Sequence, residues 1–140
     1  MKVQVIRSNR KTIGLEVRAD ESVILRAPAV DEISDVEWKS ILGEFTERVN
    51  HFCKVMDVTY GRITIRNQKT RWGSCSSKGN VNFNYQLYYM PRELMDYVII
   101  HELSHRRHMN HSAEFWQEVE KYCKTYRECR KKLRDYEIAP

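Results

Sequence analysis

The chain has 140 residues, of which 41% are hydrophobic and 31% charged, enough apolar material for one core and the length of one domain. Lys plus Arg number 24 against 19 Asp plus Glu, a formal charge of +5, and no window approaches the ~20 apolar residues of a membrane span. Wholesale disorder, a transmembrane helix and a low-complexity linker are therefore not expected, the last because the chain holds only 3 Pro and 5 Gly.

Taken from the N-terminus, residues 2–7 and 12–18 read as strands, because Val3 and Val5, then Ile13, Leu15 and Val17, alternate with other positions. The segment is too polar beyond Ile6 for a secretory signal, so a single cytoplasmic domain over 1–140 is expected, with no membrane partner. A turn at Ala19-Asp20-Glu21-Ser22 leads to a third strand, Val23-Ile24-Leu25, which Pro28 closes. Two or three antiparallel strands are the economical arrangement.

Residues 31–56 carry Ile33, Val36, Ile41, Phe45, Val49, Phe52 and Met56 at helical spacing, and Ser34 and Glu37 have capping-box spacing. A long amphipathic helix is expected there, ended before Gly61. Strands return at Arg62, where Ile63 and Ile65 alternate with Arg62, Thr64 and Arg66. Turn chemistry at Ser76-Ser77-Lys78-Gly79-Asn80 precedes Val81, Phe83 and Tyr85, which alternate with asparagines, so a hairpin or meander is expected. Pro91 suits a first helical turn, and Leu94 to His105 is apolar on nearly every side, the pattern of a buried helix. Residues 112–134 read as helical, with Ser112 as N-cap and a break near Thr125. The whole predicts an α+β fold with an antiparallel or mixed sheet, a long helix in the N-terminal half, a buried central helix and C-terminal helices.

The net charge is local. Residues 58–92 carry Arg62, Arg66, Lys69, Arg71, Lys78 and Arg92 and no acid, whereas the flanking parts nearly balance. Such a stretch could attract an anionic ligand or nucleic acid, or it could be a solvated face neutralised from elsewhere. Cys53, Cys75, Cys123 and Cys129 include no CxxC pair, and free thiols are expected.

The chemistry is concentrated in His101-Glu102-Leu103-Ser104-His105. On a helix, positions i and i+4 share a face, so both imidazoles can address one cation. Glu102 stands about 100° round the helix, where its carboxylate can act as general base on a zinc-bound water. With 5 His in 140 residues such an HExxH arises by chance only about 0.02 times in a chain of this composition. Three polar groups on a buried helix need partners, and zinc supplies them. The third ligand is His111 first, ten residues after His101, a spacing shared with the metzincin motif; His108 is its competitor, and Glu114 or Glu118 a third choice. For His111 to return, the helix must end between His105 and Asn110, and Asn110 could turn the chain through a left-handed conformation. Arg71, Tyr85, Tyr88, Tyr89 and His108 are candidates for substrate or transition-state contacts. Trp72 and Trp116 read as packing around the site, and the strand at Asn80–Tyr85 as a substrate-binding edge.

Arg71-Trp72-Gly73-Ser74-Cys75, Asn84, Leu87, Pro91, Tyr97-Val98, His101-Glu102-Leu103 and Asn110-His111-Ser112 with Phe115-Trp116 together resemble the YgjP-like metallopeptidase domain, over about Gln68 to Trp116. Arg7-Ser8 and the strands to Pro28 also resemble that family's start. The spacing from HExxH to the third histidine is similar to that of WLM-type and SprT-like proteases, the former degrading DNA–protein crosslinks. The resemblance implies a small zincin-like fold, Zn2+ held by His101, His105 and His111, Glu102 as catalytic residue, and a peptide or protein substrate. Two alternatives stay open at this point: a zinc hydrolase of nucleotide phosphoanhydrides, and a DNA-associated protease acting on bound proteins.

Overall fold

The computed structural model describes residues 3–8, 15–17, 23–68 and 70–137. The expected turn at residues 19–22, Ile13 and Lys69 lie outside the described residues.

Strands β1 (Val3–Ser8), β2 (Leu15–Val17) and β3 (Val23–Pro28) form one sheet with β7 (Tyr136–Glu137), in the order β2-β3-β1-β7. Here the antiparallel expectation needs correction. Only β2 runs antiparallel to β3; β1 runs parallel to β3, register Val3↔Val23, and parallel to β7. Alternating apolar positions identify strands but carry no direction, so β2 could stand at the edge instead of between its sequence neighbours.

After a 3-10 turn at Val30–Glu32 comes α1 (Asp35–Met56). Ser34 caps it, its Oγ accepting from the Glu37 backbone N–H at 3.1 Å. Its buried stripe is Ile41, Phe45, Val49, Phe52 and Met56. Val36 departs from the expected stripe and is 76% exposed. Five residues before Ile41, it lies about 140° round the helix from it, on the solvent side. Asp57 ends the helix in the left-handed region at φ 55°. Ser34→Ala should cost about 1 kcal/mol, because one helix N–H loses its acceptor; urea unfolding would read this as a lower midpoint at unchanged slope.

Strands β4 (Arg62–Arg66), β5 (Gly73–Cys75) and β6 (Asn80–Asn84) form a second sheet, ordered β4-β6-β5. β5 and β6 are the expected hairpin, but β4 runs parallel to β6, so the arrangement is not a meander. The consequence is functional: β6 is central and mostly buried, while β4 and β5 are the edges among the described residues. At the hairpin turn, Gly79 adopts φ +85°, and a Cβ there would meet the Arg106 guanidinium at 2.6 Å. Arg106 is fixed by donating from Nε to the Thr59 carbonyl at 2.8 Å.

A second 3-10 segment (Tyr85–Tyr89) leads into α2 (Arg92–Ser104), the buried helix, whose Leu94, Ile99, Ile100 and Leu103 are all fully covered. α1 packs on it and is tied to it by Arg48, which donates to both oxygens of Asp96 at 3.0 and 2.8 Å. Also from α1, Phe45 stacks on Phe83 of β6 at 5.4 Å. α3 (Ala113–Tyr122) begins where Ser112 Oγ accepts from Phe115 N, and α4 (Tyr126–Asp135) follows the break anticipated near Thr125. Both rest on α2. The four cysteines are free thiols, and among the described residues no helix is long and apolar enough to cross a membrane.

Candidate metal centre

His101 and His105 sit one turn apart at the end of α2, and α2 stops directly before His105. The chain then unwinds through turns and brings His111 back over the helix end. Asn110 makes no left-handed turn, since Asp57 is the only non-glycine with positive φ among the described residues. What fixes the return is Arg107, which donates to the carbonyls of Met56 and Asp57 at 3.0 and 2.8 Å and pairs with the buried Glu118 at 3.5 Å. The loop is thus anchored to the end of α1 and to α3.

One ligating atom each from His101, His105 and His111 lies within 4.8 Å of the others. His101 Nε2 and His111 Nε2 stand 3.3 Å apart. Tetrahedral coordination with bonds of about 2.0–2.1 Å separates its ligands by about 3.3–3.4 Å. Two nitrogen lone pairs at that distance repel unless a cation or proton stands between them, so the donor set fits a metal ion.

On His101 and His105 the second ring nitrogen is already engaged. His105 Nδ1 faces the His108 carbonyl at 3.1 Å. A carbonyl can only accept, so Nδ1 carries the proton and Nε2 keeps its lone pair for the common point. His101 Nδ1 lies 3.3 Å from the hydroxyl of the buried Tyr97. Burial, reinforced by His105, His111 and Arg130, pushes the His101 pKa down to about 3, and burial lowers His105 as well. Both are therefore neutral at physiological pH, the form a metal needs. Phe115 and Trp116 pack on the imidazoles, with Trp116 stacked on His111 at 5.9 Å.

Glu102 is 6% exposed and shares a cavity of about 370 Å³ with His101, His105, His111, Arg71 and the edge strand β5. Burial pushes its pKa up to about 8, opposed by Arg71. The folded state then holds a proton that the unfolded chain releases near pH 4.5, so metal-free protein should lose stability as pH rises from about 4.5 to about 8 and then level off. Glu102→Gln cannot ionise. In EDTA its unfolding free energy from urea titration should gain on wild type between pH 5 and pH 8.5, by on the order of a few kcal/mol at about 1.4 kcal/mol per pKa unit; a constant difference would reject this.

Among the other residues singled out from the sequence, Arg71 alone of the contact candidates lines the cavity. Tyr85 is fully buried, and its hydroxyl donates to the Pro28 carbonyl at 2.9 Å, so it is a core residue linking the two halves of the fold. Tyr88 packs on Tyr89, whose hydroxyl bonds to Glu37, away from the site. His108 contributes its carbonyl, not its ring, and Glu118 is engaged by Arg107 and Lys121. The expected substrate edge moves from β6 to β5. The basic block disperses: Arg92 pairs with Glu44, Arg62 and Arg66 stand at the ends of β4, and among its described residues only Arg71 reaches the cavity. Sequence reasoning missed Gly73, Ser74, Cys75 and Met109 as cavity walls. Tyr97 could have been found, since it precedes His101 by one helical turn.

A family model, that of the YgjP-like metallopeptidase domain, matches residues 27–136. The chain belongs to this family. No curated protein matches it. Among solved structures, the YgjP-like chain is similar to the metallopeptidase zymogen abylysin of Pyrococcus abyssi, at 25% identity over 64% of this chain and 90% of that one, with a TM-score of 0.58. The zymogen of jannalysin from Methanocaldococcus jannaschii is similar at 25% identity, 64% and 92% coverage and a TM-score of 0.56. Wss1 from Saccharomyces cerevisiae shares the fold at 13% identity, with a TM-score of 0.52 over 93% of this chain and 90% of that one. The three-histidine cluster lies inside the matched region, so this YgjP-like domain is a metallopeptidase domain with a potential metal site of three imidazoles.

Proposed function

We propose that the protein is a zinc-dependent peptidase in which His101, His105 and His111 hold the ion and Glu102 is the general base. The observation that carries this is the 3.3 Å approach of His101 Nε2 to His111 Nε2, with a buried carboxylate on the same cavity wall. Zinc suits three neutral imidazoles with an open fourth position, and when bound it supplies Lewis acidity to a water and to a substrate carbonyl.

The protein's own residues perform the remaining tasks. Glu102 accepts the proton of the attacking water and returns it to the departing amine. Its burial keeps it basic enough for that exchange. Tyr97 and the His108 carbonyl hold two imidazoles in orientation. β5 offers unpaired backbone groups along the cavity, and an extended peptide can add to it as a further antiparallel or parallel strand. Arg71, exposed and in the same cavity, can donate to the charge that develops on the attacked carbonyl oxygen.

The test is metal analysis together with a hydrolysis screen of peptides, an unfolded protein and nucleoside triphosphates. About one zinc per chain and cleavage of peptide bonds alone are expected. Triphosphate hydrolysis without peptide cleavage would overturn the reading in favour of a phosphoanhydride hydrolase.

A further inference from the structure

On the other side of His101 and Glu102 a second cavity of about 290 Å³ opens between β5, α2 and α4. His101 and Glu102 form part of its wall, so whatever fills it is a neighbour of the reacting bond. Its floor is apolar, made by Trp72, Val98 and Leu133, and three guanidinium-bearing side chains, Arg71, Arg130 and Arg134, complete the lining. Arg130 and Arg134 are one turn apart on the same face of α4 and line both this cavity and the adjoining one that holds Trp116 and Glu120.

None of the three arginines is paired with an acid among the described residues, whereas Arg48, Arg92, Arg107, Lys121 and Lys132 all are. Glu102 is the only acid on the wall. Arg130 is held over the Trp116 indole at 4.4 Å, so its guanidinium is positioned without being neutralised. Three guanidinium groups face one carboxyl, Glu102, around a small apolar-floored cavity, so positive charge is in excess there and an anion relieves it. The space equals about ten water molecules at about 30 Å³ each, room for one or two side chains.

Resting on the peptidase reading, we propose that this cavity is an anion subsite in which Arg71, Arg130 and Arg134 select a substrate carboxylate beside the bond that is cut. The carboxylate is either an Asp or Glu side chain or the free C-terminus of a peptide. Convergence on one cavity suits a single carboxylate better than a nucleic-acid backbone, which repeats its charges along a line. Guanidinium forks match carboxylates in a bidentate geometry, which gives the subsite its selectivity.

The experiment uses zinc-loaded protein and quenched octapeptides that differ only in carrying Glu, Gln or Lys at each position around the centre, with either a free or an amidated C-terminus. At one position Glu should raise kcat/KM at least tenfold over Lys, with Gln between. A tenfold preference for free over amidated C-termini, whichever side chain is present, identifies the chain end as the carboxylate, and a Glu preference that survives amidation identifies a side chain. Arg130→Glu/Arg134→Glu should invert the preference toward Lys; if that variant fails to fold by circular dichroism, Arg130→Gln/Arg134→Gln should bring the ratio toward one.

Cleavage of all three peptides, and of their free and amidated forms, within twofold, or unchanged ratios in the folded variants, overturns the subsite while leaving the peptidase reading intact. If wild type cleaves nothing, the peptidase reading fails, and binding of the same peptides to the Glu102→Gln protein still decides the subsite. Tenfold tighter binding of the Glu peptide over the Lys peptide, or of free over amidated peptides, lost on charge reversal, supports it; equal binding of all of them overturns it. Salt-sensitive binding of a 20-mer DNA that the charge reversal abolishes, with no charge preference among peptides, overturns it in favour of a nucleic-acid surface.

Discussion

Glu102→Gln is expected to keep about one zinc per chain and to lose peptide turnover by about 10²–10⁴-fold, the usual contribution of a positioned proton acceptor. The substitution preserves shape and hydrogen-bonding capacity and removes only basicity. Its site is 6% exposed and shares walls with three histidines that make no use of the carboxylate for their own arrangement. His105 is fixed by a carbonyl and His101 by a tyrosine, so the metal-binding geometry should survive. Comparing kcat and metal content in the same preparation separates the two roles. Normal turnover in the variant would remove Glu102 from the mechanism; loss of zinc together with turnover would make it part of the binding set.

His101→Ala/His105→Ala is expected to abolish zinc binding and activity together, leaving His111 as a lone imidazole. The clearest measurement is thermal unfolding with and without zinc. A ligand that binds only the folded state stabilises it by RT ln(1 + [L]/Kd), about 2.7 kcal/mol at a hundredfold excess over Kd. Wild type should show that gain and the double variant none. Circular dichroism must show the variant folded, because it also vacates space beside Phe115, which packs on both rings at 5.0 and 4.5 Å. A zinc-dependent shift of wild-type size in the folded variant would reject the assignment.

The core of the site was legible in the sequence because its geometry is local. HExxH at one helix end places two imidazoles and a carboxylate by helical pitch, and the ten-residue step to His111 asks for a helix that stops at the second histidine. The burial of α2 was legible from its apolar composition, and the cap at Ser34 from its spacing to Glu37. What could not be read is what tertiary pairing decides. Nothing in the alternation of Ile63, Ile65, Val81 and Phe83 says that β4 pairs parallel with β6, and that pairing is why β5 and not β6 meets the cavity. Tyr85 alternates in phase with Val81 and Phe83, so its position near the motif suggested a reactive role, whereas the same phase carried it into the core. Arg130 and Arg134 stand about thirty residues after the motif, on a helix whose placement against α2 no local pattern reveals.

The clamp on His105 comes from a peptide group, the carbonyl of His108, and not from a side chain. Such a fixture is indifferent to spelling: position 108 can drift through most of the amino-acid alphabet while the tautomer it imposes stays the same. Only a change in the path of the main chain, such as a deletion between the second and third histidines, would free the imidazole to rotate.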